Sequence, residues 1–328
     1  MRKLVAVNLS LVLIFSLTAC ASESASTALN ADVILLDISG SSTDSEGTYN
    51  QENHSPSSLS ERRRQLEVKI KDAINSNTTV YFGFVRLGYG VTDIATLVPP
   101  RLILEIDNVL TKDLKNGKLR EEARDGISAA WESAINQEAR KPDSCTTDSV
   151  EKLILEKSSG FITSSNAKRI AGQLCSGARN AIYQFDQLKG VPKDIGSDVQ
   201  AAVDRSLQKL ASDERRLINS DGVAVALIPR LIVVSDLIQV TGGKSKTKEV
   251  SATSDPKQAC ELAKEESKNF KLNSPTGISL ISDGFAGTKK EVNSSDRDKL
   301  RRYWECWFST RNVEDIEIGA KGIDLGAL

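Results

Sequence analysis

The chain has 328 residues, with 43 Lys plus Arg against 44 Asp plus Glu, one His and five Cys. That length suits one large domain or two ordinary ones, and 39% hydrophobic with 27% charged residues excludes wholesale disorder. A formal charge of -1 excludes a nucleic-acid binder that works by net positive charge, and the single His54 excludes ligand sets built on several histidines.

At the amino terminus, Arg2 and Lys3 precede an apolar run from Leu9 to Leu17 that is too short to span a bilayer. Residues 1–19 are therefore expected to be a signal peptide. The run ends in Leu17-Thr18-Ala19-Cys20, which resembles the lipobox of bacterial lipoproteins. That resemblance implies cleavage before Cys20, acylation of its sulfur and a lipid anchor in the cell envelope. Each buried CH₂ contributes about 0.8 kcal/mol to such an anchor. Loss of residues 1–19 removes two basic and no acidic residues, which leaves a formal charge of -3. Ala21 and Ser22 follow, with no Asp at the second position. In Gram-negative lipoproteins that pattern implies the outer membrane, facing the periplasm. Residues 20–31 are small and polar and are expected to form the lipidated tether.

Ala31 to Asp37 is a continuous apolar run with β-branched residues and predicts a buried strand. Ser58 to Glu61 forms a capping box, after which Leu59, Leu66, Ile70 and Ile74 recur at helical spacing. Residues 79–87 predict the next strand, and an edge strand is expected within 101–107. Helices are expected over about 118–139 and 166–187, with a third starting near Ser197 and marked by Val199, Val203, Leu207 and Leu210. Leu227 to Val234 predicts a second buried strand. Asp255-Pro256 opens a helix with an N-cap and a first-turn proline. A short strand at 277–281, a helix at 295–308 and an edge strand at 313–318 complete the series.

Strands alternating with helices predict an α/β fold, a doubly wound and mostly parallel sheet flanked by helices. One domain over 32–320 is expected, with a helical insertion at about 108–195 and a tail at 321–328. Four cysteines follow the signal peptide, and in an exported chain an even number argues for disulfides. Sequential pairing, Cys145–Cys175 and Cys260–Cys306, closes two local loops. Zinc is disfavoured because no CxxC occurs.

Sheets of this kind place their sites at the carboxyl ends of the strands. Asp37-Ile38-Ser39-Gly40-Ser41 stands at the end of the first strand, where a carboxylate and two hydroxyls can converge on one hard cation. Asp236 follows the buried strand at 227–234, and Ser197 directly precedes an amphipathic helix. Oxygen-only ligands suit Mg²⁺ or Mn²⁺.

This arrangement resembles the von Willebrand factor type A domain, whose metal-ion-dependent adhesion site uses D-x-S-x-S, a Thr and an Asp. Asp37, Ser39 and Ser41 match the first motif, and Asp236 matches the acidic residue after the fourth strand. Ser197 stands where the family more often has Thr, and Thr163 or Ser164 are alternatives for that third loop. Ser42 departs from the usual apolar residue after the motif, and Leu237 from the Gly often found after the Asp. The resemblance implies one divalent-metal site in which the serines bind the cation while Asp37 and Asp236 hold its waters. A partner protein then supplies an acidic residue to complete the shell. The expected function is therefore metal-dependent protein binding, with no nucleic-acid partner.

Two other readings carry less weight. In one, the helical insertion is the working surface of an envelope-assembly component that needs no metal. In the other, the site is a metal-dependent hydrolase with Asp44 or Glu46 as base, although no G-x-S-x-G elbow, Walker loop or G-x-G-x-x-G occurs. His54 reads as a loop residue, and Asp283-Gly284 as a turn. Lys244, Lys246 and Lys248 read as a solvated Gly/Ser-rich loop. Tyr303, Trp304, Trp307 and Phe308 are expected to anchor the last helix on the sheet.

Overall fold

The computed structural model describes residues 28–37, 59–85, 94–112, 117–158, 161–188, 197–235, 237, 240–241, 244–268, 278–282 and 294–319. Six strands make one mixed sheet: β1 (Ala28–Asp37), β2 (Thr78–Val85), β3 (Ala95–Val98), β4 (Ala226–Val234), β7 (Ile278–Ser282) and β8 (Val313–Ile318). Their spatial order is β3-β2-β1-β4-β7-β8, and all neighbours are parallel except the antiparallel edge pair β2 and β3. Setting aside the hairpin of β5 (Val240–Thr241) and β6 (Lys244–Ser245), the order reverses between β1 and β4. Such a reversal opens a crevice at the carboxyl ends of the two strands.

Every residue of β2 is buried, as is β1 from Ala31 onward. Burial on both faces explains why these strands read as unbroken apolar runs. Side chains alternate between faces. Asp32, Ile34 and Leu36 thus share one face with their register partners Arg230, Ile232 and Val234, and Asp37 lies on the other.

The helices are α1 (Leu59–Asn75), α2 (Pro100–Lys112), α3 (Gly117–Arg140), α4 (Thr147–Lys157), α5 (Ser164–Leu188), α6 (Val199–Glu214), α7 (Lys246–Ser251), α8 (Pro256–Ser267) and α9 (Ser294–Ser309). An ion pair from Lys69 to Asp32 puts α1 on the Asp32 face. Phe185 of α5 approaches Phe82 on that face, with ring centroids 6.5 Å apart. The hydroxyl of Tyr81, on the opposite face, donates to Asp213 and brings α6 there. Gly177 lets α5 come down on the edge strand, since a Cβ there would lie 2.4 Å from the Leu97 carbonyl oxygen.

One expected strand is a helix instead. Residues 101–107 belong to α2, and the edge strand is β3 at Ala95–Val98. Pro99 and Pro100 stop the strand, and Pro100 suits a first helical turn. Leu102, Ile103, Ile106, Val109 and Leu110 are then buried at helical spacing. Residues 244–251 likewise differ from the expected loop, forming β6 and the short helix α7 that carries Lys246 and the exposed Lys248.

The cysteines are joined as Cys145–Cys175 and Cys260–Cys306, with Cα atoms 5.6 Å and 5.4 Å apart. The first ties the turn before α4 to α5, and the second staples α8 to α9. Loops of 30 and 46 residues are closed, each contributing about 4 kcal/mol in the chain-entropy account.

Between α6 and β8, Asp204 meets Arg311 at 3.2 Å, with the guanidinium 3.8 Å from the Trp307 ring centroid. Burial raises the Asp204 carboxyl above its ordinary value, and Arg311 offsets only part of that shift. The folded state therefore keeps this proton to higher pH than the unfolded chain does. Its contribution to stability is fully present below 3.8 and is lost as pH rises through the folded-state value. Wild-type stability relative to Asp204→Asn should accordingly decline as pH rises above 3.8. Urea denaturation of both proteins across a pH series measures this, and a constant difference would contradict it.

Candidate functional site at the carboxyl rim

At the carboxyl ends of β1 and β4, where the strand order reverses, Asp37 is the last residue of β1 and is fully buried. Its Oδ2 accepts a 2.6 Å hydrogen bond from Ser235 Oγ, just beyond β4. Ser235 Oγ in turn accepts from the Leu237 backbone N–H at 3.0 Å. One hydroxyl thus links the end of β1, the end of β4 and the Leu237 backbone.

Leu237 has φ 56, in the left-handed region that glycine enters freely and a branched side chain enters at a cost of about 1–2 kcal/mol. Two contacts offset that cost. The side chain is buried, and its carbonyl accepts from Trp304 Nε1 at 3.1 Å. A leucine at this position therefore keeps a turn of glycine type through its packing.

Ser197 reaches the same rim from α6. The carboxyl end of α6 lies at the amino ends of the strands, where Glu214 accepts from the Leu227 N–H at 3.0 Å. The opposite end of the helix consequently points to the carboxyl rim. Asp198 caps α6 there by accepting from the Ala201 N–H at 2.9 Å, and Ser197 just before it is buried. Asp37, Ser197 and the chain on either side of position 236 are thus brought to one rim.

Ser39, Ser41 and Asp236 lie outside the described residues, as do Cys20, Ser42, Asp44, Glu46, His54 and Asp283. Thr163 and Ser164 are occupied elsewhere. Thr163 Oγ1 accepts from the Asn166 N–H, and Ser164 donates to Glu151 of α4 at 2.5 Å. From there α5 runs over the Asp32 face of the sheet, where Phe185 meets Phe82.

Ser235 is the residue that motif spacing missed. Its hydroxyl lies beside an expected ligand at a strand end, a signal available in the sequence but shared by many serines. The aromatic cluster fills a structural role: Tyr303, Trp304, Trp307 and Phe308 are fully buried. Trp304 packs edge-on against Tyr303 and Trp307, with centroids 5.2 Å and 5.8 Å apart. Gln200 donates to the Tyr303 hydroxyl at 2.8 Å, and that hydroxyl donates to Glu266, joining α6, α8 and α9 behind the rim.

The donors gathered here are oxygens, with no thiol or imidazole among the described members. That is the donor set of a hard divalent cation. Among the described residues, no group of three or more His, Cys, Asp or Glu side chains forms a metal cluster. Also among them, no helix is long and apolar enough to cross a membrane. Comparison of the chain with protein-family models and with curated proteins finds no match.

Proposed function

We propose that the chain is a lipid-anchored envelope protein that binds a protein partner through a divalent cation at the carboxyl rim. The observation that carries this reading is the buried Asp37 carboxylate, tied through Ser235 to the next strand where the strand order reverses. In the von Willebrand type A arrangement that the motif resembles, the Ser39, Ser41 and Ser197 hydroxyls would contact the cation. Asp37 and Asp236 would orient its waters and balance its charge. Leaving the carboxylates one step back keeps the cation electrophilic, so that it takes an acidic side chain from the partner. Mg²⁺ or Mn²⁺ suits these donors. Residues 108–195 would be a helical insertion mounted on the sheet, and Cys20 would hold the molecule at the membrane.

Calorimetric titration of Mg²⁺ and Mn²⁺ into the full chain carrying Cys20→Ser tests the site. One saturable site is expected, with stabilisation of about 2.7 kcal/mol when free metal is 100-fold above Kd. Asp37→Asn should abolish both the heat and the shift in melting temperature. No heat and no shift in the parent chain would overturn the proposal.

A second reading, assembly through the helices without metal, is favoured by Tyr183 on α5, which is 61% exposed. Partner capture that persists in chelator and is lost on Tyr183→Ser would select it.

A further inference from the structure

At the amino ends of the strands, β4 is led in by a hairpin over residues 217–225. Its two arms meet at the bridge between Ile218 and Ala224, the Val225 N–H donates to the Leu217 carbonyl at 3.1 Å, and Gly222, at φ 78, helps make the turn. Exposure alternates from there into β4. Val225, Leu227 and Pro229 are buried, whereas Ala224 and Ile228 are exposed and Ala226 is half-buried. Ala226 and Ile228 share a face of the sheet with their register partners Ala28 and Asn30 on β1, and Ala28 is exposed as well. Ile218 is 60% exposed and Ile228 49%. Apolar side chains thus lie open at the place where the chain enters the sheet.

We propose that this apolar strip docks on an anionic bilayer surface. The inference rests on the Cys20 anchor proposed above and extends it from a point of attachment to an orientation. Exposed isoleucines gain free energy on leaving water, and chain length decides what stands close enough to cover them. Cys20 precedes Ala28 by eight residues, at most about 29 Å of chain. A bilayer that holds the one lies within reach of the other. Attachment also makes docking intramolecular, so a strip too small to hold a free protein at a membrane suffices for a tethered one. The flanking charge selects the lipid. Arg215 and Arg216 are exposed and lead directly into the hairpin. The acids just before them are turned to other partners: Asp213 accepts from Lys209 at 2.9 Å and from Tyr81, and Glu214 from the Leu227 N–H. Asp221, in the hairpin turn, is one exposed acid against two arginines. Arginines beside exposed isoleucines suit phosphate-bearing headgroups and the acyl boundary beneath them.

The full chain is coupled through Cys20 to a maleimide lipid in vesicles, which fixes residue 20 at the bilayer whether or not a cell acylates it. Cys145, Cys175, Cys260 and Cys306 are in disulfides, which leaves Cys20 to couple. Hydroxyl-radical oxidation of Ile218 and Ile228 is compared with that in the same chain capped at Cys20 and free in solution. On phosphatidylglycerol both isoleucines should be oxidised at least about tenfold more slowly, while Tyr183, 61% exposed on α5, should change little. Ile218→Ser should restore oxidation at Ile228, and Arg215→Gln and Arg216→Gln should each reduce the protection about fivefold. Urea denaturation checks that these exposed-site variants keep the fold. No slowing in the parent chain overturns the proposal, as does equal slowing at Tyr183 or protection that none of the three variants weakens. Equal protection on phosphatidylcholine overturns the choice of an anionic surface. Slowing in the capped chain as its concentration rises, without vesicles, assigns the strip to a second copy and overturns it also. The anchor itself is judged separately, by the mass of the Cys20 peptide in protein taken from membranes, and an unmodified Cys20 there defeats the anchor whether or not the coupled chain docks.

Discussion

Replacing Asp32 with alanine is expected to lower the unfolding free energy by about 3–5 kcal/mol, because it leaves the buried Lys69 ammonium without its counter-charge. The loss is asymmetric. Lys69→Met removes one of two cations and leaves Asp32 gripped by Arg230, so it should cost much less. The Arg230 guanidinium is also biased further toward its charged form, chiefly by its hydrogen bonds to Asp32. Urea denaturation of the three proteins gives the comparison. Equal midpoints for Asp32→Ala and the parent would mean that the carboxylate is not what holds the two cations.

A loss of similar size, about 3–5 kcal/mol, is expected for Trp304→Ala. Trp304 is fully buried among Tyr303, Trp307 and Phe308, and its removal empties the centre of the packing between α9 and the sheet. Trp304→Phe isolates a second role. It keeps an aromatic ring but deletes the indole N–H that holds the Leu237 carbonyl. A net hydrogen bond is worth about 0.5–1.5 kcal/mol, so the fold should survive. The Leu237 backbone would then lose its anchor, and Mg²⁺ affinity at the proposed site should fall at least about fivefold. Unchanged affinity in Trp304→Phe would show that packing alone holds the turn. Denaturation and metal titration of the same samples separate the two effects.

Both residues show what was legible in the sequence. The strands announced themselves because burial on both faces leaves only apolar residues, as in Val33 to Leu36 and Leu231 to Val234. The edge strand did not, because β3 has only four residues and follows a stretch without periodicity. The α2 run beside it combined β-branched and apolar residues that fit either period. Two adjacent prolines were the deciding signal, marking the end of one element and the first turn of the next.

At the rim, Asp37 was legible from its position after a buried run, and Ser197 from the helix that follows it. Ser235 was not, since nothing in a strand-end serine says which carboxylate it will meet across the sheet. The Asp32, Lys69 and Arg230 cluster follows the same logic. Two of its members are charges embedded in otherwise apolar strands, an anomaly visible in the sequence. Their union depends on the β1–β4 register, which aligns Asp32 with Arg230 across a separation of 198 residues.

Because β1, β2, β4, β7 and β8 are parallel, the sheet has a head and a foot. The chain enters at the foot through Ala28 and leaves β1 at the head through Asp37, about 30 Å further on for a ten-residue strand. From Cys20 to Ala28 there are eight residue steps, at most about 26–29 Å of chain. A molecule leashed at Cys20 therefore has a leash no longer than its own central strand. If Cys20 carries the proposed lipid, the foot would be confined to a layer next to the bilayer, while the Asp37 end would be free to turn toward open space. The direction of one strand would thus decide which end of the sheet faces the lipid and which is left for partner capture.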